Sequence, residues 1–251
     1  MIQEALWMMR RWRHQYTSRK IFDSWRNEIS GWLRFWRSYQ NYKEISGAKE
    51  RNFLDTLYPC IGEDTAETLI EPIYFYQDSW AFEKIVERNP KYHIDVGSHH
   101  KFVAFLSKVV PVTMIDIRPL SLVMESIQFK AGSILDLPFE DNSIDSLSSL
   151  CVVEHIGLGR YGDPLDPNGS EKAISELKRV IAPNGHLYIS MPIDVRNTTF
   201  FNAHRAFEES YVEKLLLPLK IVDKKYIVNR ELVEEKPLGF CIALYQAVKL
   251  I

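Results

Sequence analysis

From Tyr92 onward the sequence predicts an α/β domain built on a largely parallel sheet, and three observations carry that prediction. Short β-rich runs alternate with helical patterns or Gly/Pro turns, one interior helix has a clear apolar stripe, and the chain closes on two β-rich runs with a short connection. Strands are expected at YHIDV from Tyr92, VTMID from Val112, SIQFKA from Ser126, SIDSLSSL from Ser143 and HLYISMP from His186. The helix before the fifth strand is marked by Ala173, Ile174, Leu177, Val180 and Ile181, and Pro183-Asn184-Gly185 reads as its stop. LKIVDKKYIV from Leu219 and FCIALYQAVKL from Phe240 supply the last two strands. About a dozen residues join them, too few for a helical crossover, so they should pair antiparallel.

Residues 1–52 read as a separate helical arm and residues 53–251 as the main domain. In the arm, Phe22, Trp25, Ile29, Trp32, Leu33 and Trp36 recur at helical spacing, and Ile2, Leu6, Met9, Trp12 and Tyr16 repeat the pattern. Residues 1–40 hold eight Lys or Arg against three acids, a balance of +5. Such a face either packs on protein, the main domain or a second copy, or lies on an anionic membrane.

The whole chain of 251 residues has a formal charge of -2, so it lacks the basic excess that drives nucleic-acid binding. Its three cysteines, Cys60, Cys151 and Cys241, are far apart and form no CxxC, which argues against a zinc ribbon or a disulfide framework and for a reduced cytosol. No run is apolar enough for a membrane span, and MIQEALWMMRRWRHQ has no signal-peptide core. His93, His99 and His100 lack metal-ligand spacing with acids, so no metal is expected.

Four blocks recur in a set order: HIDVGS from His93, IDIRP from Ile115, LPFEDNSIDSLSSLCVVEHI from Leu137 and ELKRVIAPNGHLYISMP from Glu176. In this order the chain resembles the class I S-adenosylmethionine (SAM) dependent methyltransferases, and most of all an uncharacterised branch filed as a domain of unknown function. The likeness runs from about Tyr58 to the end. It implies a Rossmann-like, seven-stranded, mostly parallel sheet with an antiparallel last strand, which agrees with the terminal hairpin read from the residues themselves.

A strand ending at Asp95 and turning at Gly97 brings bare backbone to the carboxyl edge of the sheet, where open α/β folds bind ligands. The resemblance gives Asp95, Gly97 and Ser98 the methionine half of SAM, Asp116 and Ile117 the ribose, Ser133 and Ile134 the adenine, and Leu150 and Cys151 the neighbourhood of the methyl. The family's further glycines are replaced by His99 and Lys101. Glu154, His155, Arg160 and Tyr161, with Arg205 after the fifth strand, are candidate acceptor-binding groups. His204 and Asp163 are candidate bases, because a weakly acidic hydroxyl needs its proton removed. Tyr76 and Gln77 precede the first strand, where relatives place a lid, while Trp80 and Phe82 read as packing. The expected activity is SAM-dependent methylation of a small molecule or saccharide, at oxygen, in the cytoplasm or against the inner membrane face. The alternative is a degenerate methyltransferase fold kept as a binding or assembly module.

Overall fold

A computed structural model of the chain describes residues 18–46 and 57–250. The Ile2 to Tyr16 repeat and the expected boundary at residue 52 lie outside the described residues. The chain divides after Leu69 into two compact units. In the first, helix α1 (Ser18–Ser46) contains the stretch from Phe22 to Trp36. Its Gly31 backs onto Ile61, where a Cβ would come within 2.3 Å of the isoleucine Cγ2, and Arg34 pairs with Asp64 at 3.3 Å.

The second unit opens with α2 (Pro72–Arg88). Pro72 pre-sets the first turn, Glu71 Oε2 accepts a 2.7 Å hydrogen bond from the Tyr74 N–H, and Asn89 closes the helix in the left-handed conformation. Gln77, Trp80, Ala81 and Ile85 form its buried face. Arg88 in the last turn forks onto the Asp145 carboxylate with two bonds of 2.6 Å.

The seven expected strands all form: β1 (His93–Val96), β2 (Val112–Asp116), β3 (Ile127–Ala131), β4 (Ile144–Leu150), β5 (Ile181–Asp194), β8 (Lys220–Val228) and β10 (Cys241–Val248). Three short ones, β6 (Thr198–Phe200), β7 (His204–Glu208) and β9 (Glu231–Val233), extend the sheet. The order is β3-β2-β1-β4-β5-β10-β8-β9, with β7 continuing beside the end of β5 and β6 beside β7. β1 to β5 pair parallel, while β10 runs antiparallel to both β5 and β8. This is the predicted mostly parallel sheet with its antiparallel last strand.

Apolar residues on the two faces of the sheet make two cores. Ile94, Val96, Leu147 and Ile189 meet α4 (Gly169–Val180) and α5 (Glu209–Leu216) on one face. On the other, Met114, Leu150, Tyr188 and Leu244 meet Trp80 and Ile85 of α2 and Phe102 and Val103 of α3 (His100–Leu106). Trp80 and Phe82 are packing residues, as expected. No helix joins β2 to β3 or β3 to β4.

One element boundary differs from expectation. The helix ends at Val180, and Pro183-Asn184-Gly185 lies inside β5, where the register with β4 shifts between Ile144 and Ser146. Gly185 is needed there for proximity: a Cβ would stand 2.7 Å from the Ile144 carbonyl oxygen.

Candidate active site

The carboxyl ends of β1, β2, β4 and β5 bring most of the expected residues to one edge. Gly97 turns the chain out of β1 with φ +72°, and a Cβ on it would meet Val152 at 3.1 Å. Asp95 does not face this opening. It is fully buried, its Oδ1 accepts from the Ser98 N–H at 3.1 Å and its Oδ2 from the Ser148 hydroxyl at 2.6 Å. Burial raises its pKa to about 6 against the pull of those bonds. Asp95 therefore holds the turn and does not reach a ligand, which corrects its expected contact. With Ser148 donating to Asp95, His93 Nε2–H must donate to Ser148 Oγ at 2.8 Å, leaving Nδ1 to accept from Ser146 at 2.8 Å. Burial keeps that histidine neutral, its pKa lowered to about 3.

Ser98 is likewise spent on structure, its hydroxyl accepting from the Leu150 N–H at 3.0 Å, and Leu150 and Ile134 send their side chains into the core. Ser133 Oγ accepts from the Leu135 N–H at 3.1 Å. Of these four, backbone groups and the Ser133 hydroxyl proton are left to meet a ligand.

Asp116 is different. At the end of β2 its Oδ1 accepts from the Arg118 N–H at 2.8 Å, and Oδ2 takes no hydrogen bond among the described residues. Ile117 beside it is exposed. The Arg118 guanidinium stacks 4.3 Å over the Tyr161 ring, and Arg160 lies 5.1 Å from the same ring. The loop after β2 is thereby tied to the loop after β4.

In that second loop, a 3-10 turn at Val153–His155 buries Glu154, whose Oε2 has no hydrogen-bond partner and whose pKa burial raises to about 8. The Cys151 thiol beside it, at φ +52°, is pushed well up by burial and then by Glu154. His155 Nδ1 donates to the Ala203 carbonyl at 2.6 Å, which leaves Nε2 as the acceptor, 3.8 Å from Glu154 Oε1. Burial lowers the pKa of His155 to about 4.

His204 opens β7 with its ring 5.0 Å from Phe200 and 5.9 Å from Phe240. Burial and then the Arg160 charge lower its pKa, so it is neutral at pH 7. Two expectations fail here. Asp163 accepts from the Gly157 N–H at 2.6 Å and the Tyr161 N–H at 3.3 Å; partial burial raises its pKa, but these bonds outweigh that and lower it. It organises the loop and is a poor base. Arg205 is 6% exposed and donates to the carbonyls of Ile156, Asp166 and Pro167 and to Ser170 Oγ. Both terminal nitrogens are engaged, which leaves only the Nε–H of its guanidinium for an acceptor.

Two residues of α2 enter the site without having been singled out. Tyr74 packs on the His99 ring at 4.6 Å, and burial, with Cys151 and Tyr161 next, raises its pKa. Asp78, its pKa raised by burial to about 7, lies 4.0 Å from His99 Nδ1, which is buried without a hydrogen bond. Tyr76 and Gln77 turn elsewhere: the Tyr76 hydroxyl donates to the Arg230 carbonyl, and buried Gln77 accepts from Ser190 at 2.9 Å. Only their place one and two residues from Tyr74 and Asp78 hinted at the right helix.

Two cavities, of about 420 and 690 Å³, open at the other, amino edge. The ionisable groups with displaced pKa values that line them, Arg88 and Asp145, are paired with each other. No cluster of metal-ligating side chains occurs among the described residues.

Residues 124–227 match the family model described as a Caenorhabditis protein of unknown function, DUF268. No curated protein matches the chain. Among solved structures, Burkholderia thailandensis 1,6-didemethyltoxoflavin-N1-methyltransferase, with bound 1,6-didemethyltoxoflavin and S-adenosylhomocysteine, is similar with a TM-score of 0.55, 16% identity, and 70% of this chain and 79% of that one covered. The N-methyltransferase NodS from Bradyrhizobium japonicum, in complex with S-adenosylhomocysteine, gives a TM-score of 0.51 at 16% identity, covering 71% and 88%. The [4+2]-cyclase SpnF gives 0.51 at 13% identity, covering 69% and 82%. With the strand order and the antiparallel β10, these likenesses establish that the chain has the fold of the class I methyltransferases.

Proposed function

We propose that this protein is a methyltransferase that uses SAM to methylate an oxygen of a small molecule or saccharide. The observation that carries the reading is Asp116, a carboxylate fixed at the end of β2 by one oxygen with the other open, beside the bare Gly97 turn. A ribose diol fits such an acceptor, at about 1.5–3 kcal/mol per charge-assisted bond. The residues present suit the donor in a second respect. His99 Nδ1 and Glu154 Oε2 are buried at this edge without hydrogen-bond partners among the described residues, which leaves them available to a ligand. His99 stands where relatives have glycine, but its ring is packed against Tyr74 and His100, at 4.6 and 4.3 Å.

SAM bound there would supply a methyl group activated by its sulfonium. The remaining work falls to the chain. Asp116 orients the donor, and Glu154, protonated at pH 7 by its burial, adds no negative charge. His155, neutral and pinned to Ala203, turns Nε2 toward Glu154. His204 is the remaining candidate base, neutral and flanked by two aromatic rings against which an acceptor can lie. Arg160 beside it would hold an anionic substituent.

Calorimetric titration of SAM and S-adenosylhomocysteine tests the premise. Micromolar to sub-millimolar binding is expected, weakened by about 2 kcal/mol in Asp116→Ala. Equal affinity in both proteins removes Asp116 from the site. Absence of binding favours the binding or assembly module, a reading encouraged by His99 and Lys101 in the glycine turn.

A further inference from the structure

We propose that α1 docks this protein onto an anionic lipid surface through its tryptophan face. At 100° per residue, Trp25, Ile29, Trp32, Leu33 and Trp36 fall within one sector about 100° wide. Among the described residues of its own unit nothing covers that sector fully: the five side chains are 67, 56, 39, 60 and 43% exposed. On the turned-away side Gly31 is buried against Ile61, and Arg34 and Asp64 form an ion pair that stays in solvent. The exposed sector is apolar and aromatic, and along its edge Trp32 and Trp36 meet half-buried Phe35 and Tyr39 edge to face at 5.4–6.0 Å.

Charge selects the occupant. Arg26 and Arg37, both exposed, project from one flank of the stripe at about 100° and 120° on the same wheel. Residues 18–46 hold six Lys or Arg against three acids. Indole rings favour the boundary between hydrocarbon and headgroup, and flanking guanidinium groups reach the phosphates while their stems stay on apolar surface. An antiparallel second copy of this helix would bring the same positive flank against itself. The helix lies in the interface plane and does not cross it, since no helix among the described residues is long and apolar enough to do so.

Sedimentation of the full chain with vesicles tests this directly. Binding is expected to phosphatidylserine–phosphatidylcholine vesicles, to weaken with added salt, and to be much poorer on phosphatidylcholine alone. Arg26→Gln combined with Arg37→Gln should reduce binding by roughly tenfold or more, each charge near the surface counting about 1 kcal/mol. Trp25→Ser combined with Trp36→Ser should abolish it, and because these side chains are exposed, circular dichroism should be unchanged. Binding that ignores lipid charge overturns the proposal. So does a wild-type dimer by light scattering that becomes monomeric in the Trp variant while no vesicle is bound, which assigns the face to a second copy.

Discussion

Glu154 has the most consequential side chain in the second unit, because its charge has nowhere to go. It is 2% exposed, with a pKa raised to about 8 by burial. In the unfolded chain the same group ionises near 4.3. Between those values the folded state binds one more proton than the unfolded state, so stability falls as pH rises, by about 1.4 kcal/mol per unit, and levels off above about 8. Glu154→Gln removes the proton exchange. Denaturant unfolding between pH 6 and 8 should show the variant losing less stability than the wild type, and parallel slopes would mean that the carboxyl is ionised in the fold. Lowered histidines act in the opposite sense, but His93 and His155 no longer contribute once the pH passes the unfolded value of about 6.5. His204→Ala should lower turnover on the true acceptor by about 10² or more while SAM affinity changes within a few fold, measured as kcat against donor Kd. Unchanged turnover would place the base elsewhere.

Among the elements, the loop after β4 shows what a single side chain can hold. Arg205 reaches from β7 to carbonyls at both ends of that loop, and Asp163 gathers its N–H groups from within. Arg205→Ala takes the arginine donors from the Ile156 and Pro167 carbonyls and one of two donors from the Asp166 carbonyl, and should cost about 1–3 kcal/mol, read as a lower Tm and as weaker Arg118–Tyr161 coupling in a double-mutant cycle. The main strands were legible in the sequence because short apolar runs such as VTMID and HLYISMP pack both faces of a buried sheet. The short strands β6, β7 and β9, three to five residues long, carry too little pattern to announce themselves. Pro183-Asn184-Gly185 has the composition of a helix stop, yet it lies within β5 and makes a tight approach to β4. Strand ends gave the location of the site but not the direction of its side chains. Asp95 and Arg205 sit at the expected edge and turn inward, while Tyr74 and Asp78 arrive from a helix whose sequence offers only an ordinary apolar stripe.

For the molecule as a whole, the position of β10 matters beyond the fold label. It pairs along eight residues with β5 and along most of its length with β8, and no other strand joins those two. A chain ending after Gly239 should therefore form inclusion bodies or soluble aggregates on expression, whereas the longer chain stays monodisperse in its sheet unit; a soluble, folded truncation would show that β5 and β8 pair without it. During translation the same geometry imposes an order. Until residues 241–248 are in place, β5 and β8 each present a bare hydrogen-bonding edge to neighbouring chains. The sheet therefore closes last at its C-terminal strand, and the span from residue 228 to residue 248 is the stretch over which a newly made chain is most open to wrong strand pairing.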